Sequence, residues 1–140
     1  MSARSKARKQ TLNILYEADI RGTQPLDILA VRYVTEEGPD ARPIREYTRE
    51  LITGVTDNRR KIDELIATYA QGWDMDRLPA VDRNIMRLAL FEILWSPSLD
   101  DAVAIDEALS LAKELSTDES SAYIHGVLAR IASLKDGLSL

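Results

Sequence analysis

Four cations, Arg4, Lys6, Arg8 and Lys9, stand ahead of the first carboxylate, Glu17, in a chain of 140 residues whose net charge is −5. Without them the remainder carries −9, so positive charge is gathered at one end of an acidic body. That distribution suits a polyanion, because each phosphate neutralised by Lys or Arg releases condensed counterions. It indicates nucleic acid as a partner class, with a solvated or frayed chain end as the plain structural alternative.

The inventory for catalysis is thin. One histidine, His125, and no cysteine leave no Cys nucleophile, no disulfide, no thiolate metal site and no His cluster. No phosphate-cradling Gly-rich loop, HExxH or GxSxG is present. Asp100-Asp101 and Asp106-Glu107 are adjacent carboxylates, but neighbours on a helix point apart, so they read as caps and solvated charge rather than acid/base pairs. His125 reads as a helix-edge residue, and nothing calls for a metal or a cofactor. Tyr123, seven residues before Arg130 and beside an apolar stripe, reads either as core or as a platform on which unpaired bases stack. Gly126 costs about 1 kcal/mol in mid-helix relative to alanine. A helix crossing close to it would offset that cost.

The elements that must position these residues are helical throughout, and the reading is an all-α single domain over residues 1–140. Ala3, Ala7, Thr11, Ile14 and Ala18 form one stripe of a first helix from about Ser2 to Ile20, ended by Gly22. Arg4 and Arg8 flank that stripe, and Lys9 shares another face with Leu12 and Tyr16. A short helix begins at Pro25 and carries Leu26, Leu29, Ala30 and Tyr33 inward, and Glu36 to Pro43 is a loop. Helical spacing runs from Ile44 to Ala70 with a break near Gly54, Asp57 and Asn58. Between Val81 and Trp95 nearly every face is apolar, with Asp82, Arg83, Arg87 and Glu92 as charged exceptions, which marks the helix that others surround. Beyond Pro97, with Asp100 or Asp101 as cap, Ile105, Ala108, Leu109, Ala112 and Leu115 share a face. Ser116 and Glu119 have capping-box spacing for a last helix with Ile124, Val127, Leu128, Ile131 and Leu134 inward.

Apolar runs fall far short of the roughly 20 residues of a spanning helix. The basic start is not followed by a signal-peptide core. A cysteine-free chain fits a reducing compartment, and the expectation is a cytoplasmic protein with no membrane role.

Several segments together resemble the NusB family: Val103 to Lys113 (VAIDEALSLAK), Tyr123 to Leu128 (YIHGVL), Asp82 to Ile93 (DRNIMRLALFEI) and Arg4 to Tyr16 (RSKARKQTLNILY). The resemblance implies a compact bundle of about seven helices in two packed helical subdomains, without enzymatic activity or cofactor. It implies a transcription antitermination factor that binds the boxA RNA of ribosomal RNA leaders with NusE, a small-subunit ribosomal protein. That pair would join RNA polymerase and other Nus factors. Carried over, Arg4, Lys6 and Arg8 fall where the family meets RNA phosphates and bases, beside Lys9 of the same cluster. Tyr123 falls at an aromatic position near the RNA. Tyr16, Asp76 and Asp82 fall where the family meets NusE, an acidic surface suited to a basic partner. Ser5, His125 and Asp100 depart from the family's usual Arg, Asn and Val-Pro. The rival readings are a protein-only helical adaptor and the helical domain that fronts some ribosomal RNA cytosine methyltransferases. A homodimer through Trp73 or Trp95 is a further possibility for the assembly.

Overall fold

The computed structural model describes residues 2–35, 43–72 and 75–140, the side chains of residues 32–35 and 76 excepted. Trp73, the side chain of Tyr33 and all of the expected loop except Pro43 therefore lie outside the described residues. Among the described residues are seven α-helices, two short 3-10 turns and no strand. The helices are α1 (Ala3–Arg21), α2 (Pro25–Thr35), α3 (Glu46–Asp57), α4 (Arg59–Tyr69), α5 (Ala80–Trp95), α6 (Asp101–Leu115) and α7 (Asp118–Leu134). Helices α1, α2 and α3 pack on one another, α4, α6 and α7 gather on α5, and α5 also meets α1 and α3. The two groups share one continuous core that runs from Leu12 to Ile131.

Ser2 starts α1 as its cap, its hydroxyl accepting the Ser5 N–H at 3.0 Å. Gly22 ends it in the left-handed region at φ 67°, closing back on Ala18 and Asp19. Ala7, Thr11, Ile14 and Ala18 are buried as the stripe requires, whereas Ala3, in the first turn, is exposed. In α2 the inward residues are Ile28 and Leu29, while Leu26 and Ala30 face out. The buried face is thus rotated from the one the spacing predicts.

The break between α3 and α4 falls at Asn58, whose side-chain amide donates to the Gly54 carbonyl at 2.8 Å. Gly54 itself stays inside α3 for a packing reason. A Cβ there would lie 2.1 Å from the Phe91 ring, so glycine admits the close crossing of α3 and α5. The close crossing expected at Gly126 is absent: a Cβ there would meet nothing within 4 Å. Gly126 faces open space on α7.

Helix α5 is buried nearly all round, and three of its charged exceptions, Asp82, Arg87 and Glu92, are buried with it. Its C-terminal Trp95 is half-buried and stacks on Phe91 at 6.3 Å between centroids, which gives this tryptophan a packing role. The inward face of α6 is Ala104, Ala108, Leu111 and Ala112, and Leu115 is exposed. Thr117, not Ser116, caps α7, accepting the Ser120 N–H at 3.0 Å. Ser116 closes α6 and turns its hydroxyl to Asp82. No helix among the described residues is long and apolar enough to cross a membrane.

Candidate nucleic-acid interface

The basic start of α1 is mounted on a buried polar network. The Arg8 guanidinium, 3 % exposed, donates from Nε to both Glu92 oxygens at 2.9 and 3.0 Å and from Nη2 at 2.9 Å. Tyr47 of α3 donates its hydroxyl to the same carboxylate at 2.5 Å. A second carboxylate, Glu107 of α6, lies 3.5 Å from Arg8 Nη1 and accepts the Ser5 hydroxyl at 2.8 and 3.0 Å. Helices α1, α3, α5 and α6 are thereby tied at one point. Burial by itself would lower the Arg8 pKa, but the hydrogen-bonded and coulombic partnership with Glu92 outweighs it and the value is raised. Burial, followed by the hydrogen bond to Glu92, pushes the Tyr47 hydroxyl up to about 12.

Arg8 therefore does not stand at the surface beside the apolar stripe, as its position in the sequence suggests. A guanidinium can be buried only with its donors matched to a carboxylate, and Glu92 supplies that match. Arg4 is exposed, its guanidinium carbon 4.6 Å from the Tyr47 ring centroid, a distance at which the ring face attracts a cation. Lys6, two residues further along α1, is exposed as well. Neither has a carboxylate partner among the described residues. Lys9 is partly exposed and ion-paired with Glu114 of α6. Arg4 and Lys6 sit at the start of a helix with no acidic residue in its first turn, where the helix dipole disfavours a positive charge by roughly 0.3–1 kcal/mol. Such a local conflict fits a site kept for a ligand rather than for folding.

Tyr123 is half-buried on α7 and lines a cleft of about 510 Å³ with Tyr69, Gln71, Gly126 and Arg130. Burial, then the nearby Asp82 carboxylate, raises its pKa. Gly126 keeps the cleft open, which accounts for the missing side chain better than a helix crossing does. Tyr69 and Arg130 complete this wall from α4 and from two turns further along α7, and only their aromatic and cationic types hint at it in the sequence.

The residues expected at a protein partner separate. Tyr16 is 40 % exposed, and Ile20, one turn further along α1, is 61 % exposed, so an apolar strip stands open there. Ile20 was legible only as an apolar residue four places after Tyr16. Asp76 lies in the 3-10 turn Met75–Arg77, its side chain outside the described residues. Asp82 is corrected by the structure: it is 2 % exposed and accepts the hydroxyls of Ser116 at 2.7 Å and Ser120 at 2.6 Å. It clamps the junction of α6 and α7 to α5 and presents no carboxylate to a partner.

With this geometry in place, comparison with known proteins is specific. The NusB family pattern matches residues 5–133. Transcription antitermination protein NusB of Saccharopolyspora erythraea is 50 % identical over 139 residues, spanning 99 % of this chain and 92 % of that protein. NusB of T. maritima superposes with a TM-score of 0.80 at 31 % identity, covering 98 % of this chain and 99 % of that one. A crystal structure of antitermination factors NusB and NusE in complex with dsRNA contains a chain of TM-score 0.77 and 26 % identity, covering 93 % of this chain and 96 % of that one. The helical architecture, the order of its elements and the sequence match agree, and the chain belongs to the NusB family.

Proposed function

We propose that this chain is a transcription antitermination factor that binds boxA RNA of ribosomal RNA leader transcripts together with NusE and helps assemble the antitermination complex on RNA polymerase with other Nus factors. It acts in the cytoplasm, by assembly rather than by catalysis. The observation that carries the reading is the exposed pair Arg4 and Lys6 on a helix held rigid from beneath by Arg8, Glu92 and Tyr47. A helix already fixed in place spares the backbone's ordering cost at binding, so only the side chains of these cations remain to be ordered by phosphate. Likeness to a NusB seen with NusE and RNA supports the same partners.

In this reading Arg4, Lys6 and Lys9 meet phosphates, and Arg8 supports them from inside. Tyr123 offers an unpaired base a ring to stack on, within a cleft also lined by Tyr69 and Arg130. The Tyr16 and Ile20 strip meets NusE, with Asp76 as the acidic contribution, while Asp82 acts only by fixing the α6–α7 junction.

Binding of a boxA-like RNA and a scrambled control, with and without NusE, across a salt series tests this. Selective binding that strengthens with NusE, with a shallow salt slope, is expected. Equal and weak binding of both RNAs in the presence of NusE would overturn it and favour a protein-only adaptor.

A further inference from the structure

Helix α6 carries Glu107 and Glu114 seven residues apart, which puts both on one side of the helix about two turns from each other. Both face the basic start of α1. Glu107 takes the Ser5 hydroxyl and stands 3.5 Å from Arg8, and Glu114 takes Lys9. A carboxylate row thus runs beside the cations that the RNA needs. The pair at the open end differs from the one beneath it. Arg8 and Glu92 are buried and permanent, whereas Lys9 and Glu114 are 37 % and 43 % exposed, and an exposed pair is weak enough to exchange its carboxylate for a phosphate.

We propose that Glu114 is a specificity-determining residue of the RNA site: it occupies Lys9 and so withholds one cation from RNA that is held by charge alone. This rests on the RNA-binding reading above. A phosphate that takes Lys9 leaves Glu114 unpaired and negative beside the RNA, and Glu114 then takes up a cation from solution. The net counterion release that drives the contact is cancelled at this position. An RNA without base contacts slides to whatever register engages the most cations, and it loses the most by this cancellation. An RNA fixed in register by base contacts depends less on Lys9. Arg4 and Lys6, with no carboxylate partner among the described residues, remain open to both.

The test is the affinity and salt slope of scrambled and boxA-like RNA for Glu114→Gln, measured with NusE present. Scrambled RNA is expected to bind about threefold to tenfold more tightly, with a slope steeper by about 0.7, the value of one phosphate on a single strand. BoxA-like RNA is expected to gain less than twofold, so selectivity falls. In a Lys9→Ala background the same substitution is expected to gain nothing. Asp136→Asn, which removes an exposed charge from the C-terminal turn packed on α7, is the control for net charge. Unchanged scrambled-RNA affinity and slope would overturn the proposal. So would an equal gain from Asp136→Asn, or a gain that persists without Lys9. Failure of the unaltered protein to prefer boxA-like RNA would instead overturn the underlying function, a result read in a separate arm.

Discussion

At the C-terminal end of α1, Asp19 is ringed by donors: Arg83 at 2.8 Å, Asn84 at 2.8 Å and Arg87 at 3.1 Å. Arg87 also reaches Asp63 of α4 at 2.8 Å, so this network joins three helices and every member is spoken for. At the N-terminal end of the same helix only the innermost cation, Arg8, is matched in this way, and Arg4 and Lys6 project from the surface. One helix thus carries two kinds of charge. Where carboxylates and guanidinia are present in matched geometry, charge is buried and serves packing. Where cations outnumber their carboxylates on a rigid support, charge remains for a polyanion. Arg8 is the boundary between the two regimes, buried on Glu92 while its neighbours on α1 reach the surface.

The comparison is broken most forcefully at Glu92. Glu92→Ala leaves the buried Arg8 with only the longer 3.5 Å contact to Glu107 and Tyr47 without its acceptor, and should cost about 3–5 kcal/mol in urea unfolding. Pairing it with Arg8→Met should recover most of that loss; a cost within about 0.5 kcal/mol would show that the support is dispensable.

A packing control outside both networks is Gly54→Ala, whose new methyl group meets the Phe91 ring. Overpacking of this kind should cost about 1–3 kcal/mol, and Phe91→Leu in the same chain should relieve it. Equal costs with and without Phe91→Leu would show that the ring is not the obstacle.

Charge reversal at the open end should behave in the opposite way. Arg4→Glu with Lys6→Glu is expected to cost no more than about 0.5 kcal/mol in unfolding, and a gain is compatible with it, because carboxylates at the start of α1 suit the helix dipole that the cations oppose. The same change should weaken RNA binding by about tenfold or more and flatten the salt slope. A destabilisation as large as that of Glu92→Ala would erase the distinction between the two regimes.

The smallest effects lie at the extremes of pH. For Asp19, burial raises the pKa, but the hydrogen bonds from Asn84 and Arg83 and the charge of Arg87 outweigh it, and the net value is below 3.8. Its contribution is therefore fully present above about pH 3.8 and is lost as pH falls through the folded value. Asp19→Asn should flatten the acid limb of a stability curve, and an unchanged limb would remove Asp19 from the cause. For Tyr47 the folded pKa of about 12 exceeds the ordinary 10.0, so its contribution is present below about pH 10 and is lost between 10 and 12. Ultraviolet titration should find a tyrosine ionising at about pH 12 that disappears in Tyr47→Phe, while the raised ionisation of Tyr123 stays.

Much of this was legible in residue order because helices are local. The period of Ala7, Thr11, Ile14 and Ala18 marks the buried face of α1, the apolar girth of 81–95 marks α5 as the centre, and Gly22 marks a stop. Errors arose where a local signal had two readings. Gly126 was an open cleft wall and Gly54 the close crossing, because the neighbour that decides between them, Phe91, is on another helix. Ser116 resembled a cap for α7 but is drawn off by Asp82, 34 residues earlier.

By itself the sequence determined the helical class, the central helix, the gathered positive charge and the family pattern over residues 5–133, since each depends on residue type and short-range spacing. Only the tertiary structure decided which charges are available. Arg8 and Lys9 are neighbours with the same sign, yet one is sealed onto Glu92, 84 residues away, and the other rests on Glu114 at the surface. The physical reason is that burying an ion requires a matched counter-ion and donors from distant segments, and those meet only when the helices have packed.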